Sequence, residues 1–111
     1  MAQVLAAMAD TGAQVCVAGT RHLPALGLRP VMLHRRAGIR DLAHVHLKCA
    51  GRAMCRIGLP DRYTVQKVYF IENVDRLYLS RAACTELRLV PKGFPNPLPL
   101  VAALDMELSD T

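Results

Sequence analysis

Val4-Leu5-Ala6-Ala7-Met8-Ala9-Asp10-Thr11-Gly12-Ala13-Gln14-Val15-Cys16-Val17 is a mostly apolar run broken in its middle by a carboxylate, a hydroxyl and a glycine. An acid set between two apolar segments is costly to bury unless something requires it there. Gln3–Ala9 reads as a buried strand, Asp10–Ala13 as the turn that ends it, and Val15–Ala18 as a second strand rich in β-branched residues. The first functional candidate is therefore Asp10, at the end of a strand, with Thr11, Gly12 and Ala13 shaping the turn.

The chain around this run has 111 residues, enough for one domain with a modest core. Hydrophobic residues make up 52% and charged residues 21%, a balance expected of a folded chain rather than a disordered one. Trp is absent and aromatic residues make up only 5%, so Val, Leu, Ile, Ala and Met are expected to build the core, with Met8, Met32 and Met54 among them. No apolar run reaches the ~18–20 residues of a membrane span. Val4–Ala9 is too short and ends too soon, at an acid, to be a signal peptide. An intracellular chain is the expectation. Cys16, Cys49, Cys55 and Cys84 form no C-x-x-C pair and are expected to be free thiols, with Cys16 and Cys84 as small core residues.

Further along, Pro24 limits Arg21–Leu28 to a turn or a single helical coil bearing Leu23, Leu26 and Leu28. Val31-Met32-Leu33 reads as extended, and His34–Gly38 as an exposed hairpin tip. Leu42–Cys49 alternates, with Val45, Leu47 and Cys49 facing one side and His44, His46 and Lys48 the other. Cys49 thus points away from the two histidines, which read as surface residues. No metal or other cofactor is expected. Ala50-Gly51 reads as a turn, Ala53–Leu59 as a strand with Cys55, Ile57 and Leu59 on one face, and Pro60-Asp61-Arg62 as a second turn. Val65–Glu72 and Leu77–Leu79 are expected strands, and Ser80 is placed to cap a short helix over Arg81–Leu87. Pro91, Pro95, Pro97 and Pro99 close the domain, which is taken as 1–92 with 93–111 a Pro-rich tail or linker. Within it, Val101–Leu108 fits a helical turn, a strand or a frayed tail. Many short strands with one late helix predict an all-β barrel or sandwich.

The net charge is +5, with a basic cluster at His34-Arg35-Arg36 and further arginines at Arg40, Arg52 and Arg56. Without a recognisable RNA-binding motif, the cluster reads as a solvated face, and nucleic acid is not an expected partner.

One carboxylate holds a proton or a metal, but splitting an amide with water needs a base and an acid together. Two carboxylates sharing one proton supply both. None of Asp41, Asp61, Asp75, Asp105 or Asp110 is followed by Ser or Thr and then Gly, so if the chemistry is a carboxylate pair, the second carboxylate is expected from a second copy of the chain. Gly12 would let the two turns approach, and the Thr11 hydroxyl would bond across the two-fold axis. Phosphoryl transfer through an aspartyl intermediate also uses an Asp after a buried strand. It ordinarily sits on an α/β scaffold, and this chain lacks the alternating helices.

Ala9-Asp10-Thr11-Gly12-Ala13 after an apolar strand resembles the active-site motif of retropepsins, the aspartic proteases of retroviruses and retrotransposons. Leu77-Tyr78-Leu79-Ser80-Arg81 running into a short helix is similar to the family's second hallmark. The likeness spans Val4 to Leu89 and looks most like protease domains of retrotransposon polyproteins. It implies a small closed acid-protease-type β-barrel with one short helix near the C-terminus, active as a homodimer on an extended polypeptide. It places the protein in the cytoplasm or within a retroelement particle. Carried onto this chain, Asp10 is the catalytic carboxylate. Arg36, Ala37, Gly38 and Ile39 surround the tip of a substrate-covering flap, and Ser80 and Arg81 are structural residues near the dimer axis. Ser80 stands where the family usually has Gly, and Ala82 where it has Asp or Asn. Those departures motivate the alternative: a degenerate or domesticated domain that dimerises or binds peptide without cutting it.

Overall fold

The described residues of the computed structural model are 2–10, 12–34, 49–89 and 98–109. They form six strands: β1 (Ala2–Ala9), β2 (Cys16–Gly19), β3 (Cys49–Leu59), β4 (Arg62–Ile71), β5 (Leu77–Leu79) and β6 (Leu98–Leu108). Among the described residues there is one short α-helix, α1 (Arg81–Glu86). The hydrogen-bonded order is β1-β5-β2-β4-β3-β6, and β6 pairs with both β3 and β1, so the sheet curls around a single core. The chain is thus mostly β. No helix among the described residues is long and apolar enough to cross a membrane.

Alternation along the strands builds that core. Cys55 and Ile57 of β3, Val68 and Phe70 of β4, Leu77 and Leu79 of β5 and Met106 of β6 are buried, and Ala83, Cys84 and Leu87 from α1 and its C-terminal turn close the packing. Side chains of this size contribute ~1.5–3 kcal/mol each when fully buried, which offsets the cost of ordering them. Polar bonds to β4 pin α1 in place. Thr64 Oγ1 donates to Glu86, Gln66 Nε2 donates to Glu86 Oε2 at 2.9 Å, and Arg62 Nε donates to the Leu87 carbonyl.

Four expectations are corrected. Pro30–Met32 forms a 3-10 turn rather than an extended piece, because Pro30 sits at its first position and the Leu33 N–H closes it on the Pro30 carbonyl at 3.2 Å. Ala50-Gly51 lies inside β3 rather than ending a strand. The register shifts between Cys49 and Gly51, and Gly51 takes φ +143° where a side chain would sit 2.6 Å from Leu33 Cβ. A glycine that reads as a turn is here a bulge and a close approach. Met32 and Met54 lie on the surface, 57% and 39% exposed, because the 3-10 turn and the outer face of β3 carry them. Lastly, Leu98–Leu108 is not a tail: it is β6, bonded on both sides, so the sheet extends well past residue 92.

The expected alternating strand and its histidines at 44 and 46, and the flap residues Arg36, Ala37, Gly38 and Ile39, lie outside the described residues, as does Thr11.

Candidate active site

Asp10 follows β1 directly, and its position depends on β5. The two strands run parallel, with Ala7 opposite Leu77, Met8 opposite Tyr78 and Ala9 opposite Leu79. The ladder continues one step beyond β1: the Asp10 N–H donates to the Leu79 carbonyl at 2.9 Å. The Ala13 N–H turns back to the Asp10 carbonyl at 2.9 Å, and the Arg81 N–H donates to the Ala13 carbonyl at 3.0 Å. The turn after β1 and the junction between β5 and α1 are therefore bonded to each other at both ends, although some 70 residues separate them. Two stretches singled out separately by their residues form one unit.

The side chains beneath the unit are buried. The Cys16 thiol donates to Ser80 Oγ at 3.4 Å, and the Ser80 N–H donates to Cys16 Sγ at 3.4 Å. Ser80 Oγ also accepts the Ala83 N–H at 3.2 Å, which makes Ser80 the N-cap of α1, as its position predicts. The Cys84 thiol donates to the Leu79 carbonyl at 3.7 Å and lies beside the Asp10 backbone. Burial raises the pKa of Cys16, opposed by its bonds to Ser80. Burial likewise raises Cys84, with the nearby Cys16 and Asp10 charges adding to the effect. These thiols are protonated packing groups, unsuited to act as nucleophiles.

Above them the unit opens to solvent. Gly12, Ala13, Gln14, Arg81 and Ala82 line an open depression of about 520 Å³. Gly12, Gln14, Arg81 and Ala82 are exposed and Asp10 is half-buried. Among the described residues, its chain neighbours aside, the nearest atom to a Cβ on Gly12 would be Asp10 Oδ1, at 3.8 Å. That is ordinary van der Waals distance, so none of those residues crowds a side chain at position 12.

The chain matches no family model, no curated protein and no solved structure.

The site's residues therefore have to carry the functional reading by themselves. Asp10, Gly12, Ala13, Ser80 and Arg81 come together. Cys16 and Cys84 belong to the same unit, a role beyond the core packing expected of small buried residues. No local pattern links Cys16 to a serine 64 positions away. No group of His, Cys, Asp or Glu able to hold a metal ion occurs among the described residues.

Proposed function

We propose that this chain is an aspartic endopeptidase of retropepsin type, with Asp10 from each of two copies forming the catalytic pair. The supporting observation is the bonded unit of the Asp10 turn and the Leu79–Arg81 junction. It sets the half-buried Asp10 carboxylate beside the exposed Gly12, which lines a surface depression. A carboxylate so held has a use if a second one meets it across a two-fold axis. On this reading the curled sheet is a closed acid-protease-type barrel, and the face bearing Gly12 and Arg81 meets its mate.

The chemistry follows from two carboxylates that share one proton. The ionised one takes a proton from a water held between them, and the resulting hydroxide attacks the scissile carbonyl carbon. The protonated one donates a hydrogen bond to the carbonyl oxygen as negative charge develops there. That carboxylic acid then gives its proton to the amide nitrogen as the carbon–nitrogen bond breaks, and the pair, holding the proton taken from water, is again left with one. The substrate is an extended polypeptide, gripped as an added strand. Processing of a retroelement polyprotein, in the cytoplasm or within a particle, is the corresponding biological setting.

The test is cleavage of an apolar peptide library by the purified chain at mildly acidic pH. Asp10→Asn should abolish cleavage while leaving the association of subunits intact. Cleavage that survives this change, or a chain that stays monomeric at micromolar concentration, overturns the mechanism. The exposed Ala82, where the resembling family carries an acid or amide, favours a second reading: a module that dimerises or binds peptide without cutting it. That reading requires dimers that never cleave at any pH or salt.

A further inference from the structure

The outer face of the β3–β4 hairpin carries an arrangement that has no part in the Asp10 unit. The register puts Arg52 opposite Tyr69, Met54 opposite Lys67, Arg56 opposite Val65 and Gly58 opposite Tyr63. These residues alternate with the buried Cys55, Ile57, Thr64, Val68 and Phe70, so they share the side of the sheet away from the core. Tyr63 is 62% exposed, and the Arg56 guanidinium lies over its ring, 5.1 Å from the centroid. Arg52 Nη1 donates to the Tyr69 hydroxyl at 3.3 Å, which holds this cation against the sheet. A depression of about 280 Å³ beside it is lined by His34, Arg52, Ala53, Met54 and Lys67. Backbone bonds of 3.0 Å in both directions tie His34 to Arg52.

The charge on the β3 and β4 positions of this face is one-sided, while β6 sets Glu107 and Asp105 opposite Arg56 and Gly58. Among the described residues, neither Arg52 nor Lys67 has a carboxylate within ion-pair distance; the acid at the edge is Glu107 of β6, 3.9 Å from Arg56, with both side chains largely solvated. Such a pair is weak and readily exchanged for another anion. The face offers cations at one end and an exposed aromatic ring at the other. Tyr63 and Lys67 are four residues apart on β4, ~13 Å at the ordinary strand rise. That spacing suits a chain of repeated anions with planar groups between them better than a single small anion.

We infer that the outer face of the β3–β4 hairpin binds single-stranded nucleic acid, with phosphates at the Arg52–Lys67 depression and a base stacked on Tyr63. An acidic peptide would satisfy the cations but has no use for the exposed ring. Besides its cations, the described β3 and β4 positions of this face are Met, Val, Gly and Tyr, with no Asn or Gln to read base edges, and the Glu107 carboxylate at its edge is turned to Arg56. Binding is therefore tolerant of sequence and shared by DNA and RNA strands. Arg52 and Arg56, which read as part of a solvated face in the sequence, become a site with Lys67 because the register sets them beside an exposed tyrosine.

The test is fluorescence anisotropy of the full chain with labelled oligo-dT and oligo-U over a salt series, with duplex DNA and poly-glutamate as competitors. Single strands should bind and compete better than either competitor. Lys67→Gln should weaken binding and reduce the slope against log salt by about one. Tyr63→Ala should weaken binding about tenfold with the slope unchanged, since stacking carries no counterion release. Both side chains are exposed, and a thermal melt of each variant verifies the fold. Asp10→Asn should bind like the parent chain, which separates this site from the proposed catalytic one. No binding at low salt, equal competition by poly-glutamate, or an unaltered affinity in a folded Tyr63→Ala variant overturns the proposal.

Discussion

The Cys16 thiol and the Ser80 hydroxyl, 64 positions apart, form one buried hydrogen-bonded pair at 3.4 Å. The Ser80 N–H donates back to Cys16 Sγ at 3.4 Å, so each residue serves the other as donor and acceptor. The same hydroxyl caps α1 through the Ala83 N–H. Ser80→Ala should therefore cost about 1–2 kcal/mol in urea unfolding, through the lost cap and the unpaired N–H it leaves. Ser80→Thr keeps the acceptor but adds a methyl to a fully packed position, and should recover only part of that loss.

Two glycines should respond in opposite ways. A Cβ on Gly19 would lie 1.8 Å from the Val74 carbonyl oxygen, so Gly19→Ala has to move backbone and should cost about 3 kcal/mol or prevent folding. Among the described residues, chain neighbours aside, a Cβ on Gly12 would meet Asp10 Oδ1, at 3.8 Å. Gly12→Ala should thus melt within about 1 kcal/mol of the parent. If two Asp10 turns meet across an axis, the same change should weaken subunit association, read by sedimentation. Association as tight as the parent's would show that Gly12 does not lie at the axis.

Stability should fall as the solution is made mildly acidic. His22 is buried and its Nε2 has no hydrogen-bond partner among the described residues. Burial, with the neighbouring Arg21 charge second and Asp75 opposing, lowers its pKa from the ordinary 6.5. The unfolded chain then takes up its proton at a higher pH than the folded chain. The His22 contribution is whole above about pH 6.5 and is lost as pH falls through that value towards the lower folded pKa. Urea midpoints should drop between about pH 7 and about pH 5, and His22→Gln should flatten this part of the curve. An unchanged slope in His22→Gln would assign the loss to other groups.

The four thiols should differ sharply in reactivity. Burial pushes Cys55 up to about 12, with the nearby Cys16 adding to it, and raises Cys16 and Cys84 as well. Cys49 is raised too but is only half-buried. A thiol-alkylating reagent at neutral pH should label Cys49 first, and the other three only on unfolding, as peptide mapping would show. Early labelling of Cys16 would mean that the pair with Ser80 opens in the native state.

What was legible in the sequence was what short-range pattern encodes. The β1 strand ending at Asp10, the Ser80 cap, and the alternation of Cys55 and Ile57 against their exposed neighbours depend on residues within one or two turns of each other. The misread positions depend on distant chain. Gly51 is a bulge because Leu33 and His34 press against it, and Met54 is outside because the register with Lys67 puts it there. β6 could not be decided because its residues become a strand through β1 and β3, and nothing nearby requires it. Within the site, the strand end at Asp10 and the cap at Ser80 were readable. Their direct bonding and the thiols beneath them were not.

The pairing of β1 has a consequence for the order in which the molecule is made. Its partners on both sides, β5 and β6, are synthesised long after it, and the bond from Asp10 to Leu79 needs the first of them. Until Leu98–Leu108 has emerged, the strand that leads to Asp10 keeps an open edge, the condition under which nascent β-chains mispair. Closing a pairing across such a separation is slow, because the loop entropy is spent before any contact returns it. The carboxylate is translated early and positioned last. A ribosome-bound chain arrested before β6 would carry every residue of the Asp10 turn and lack the strand that completes its support.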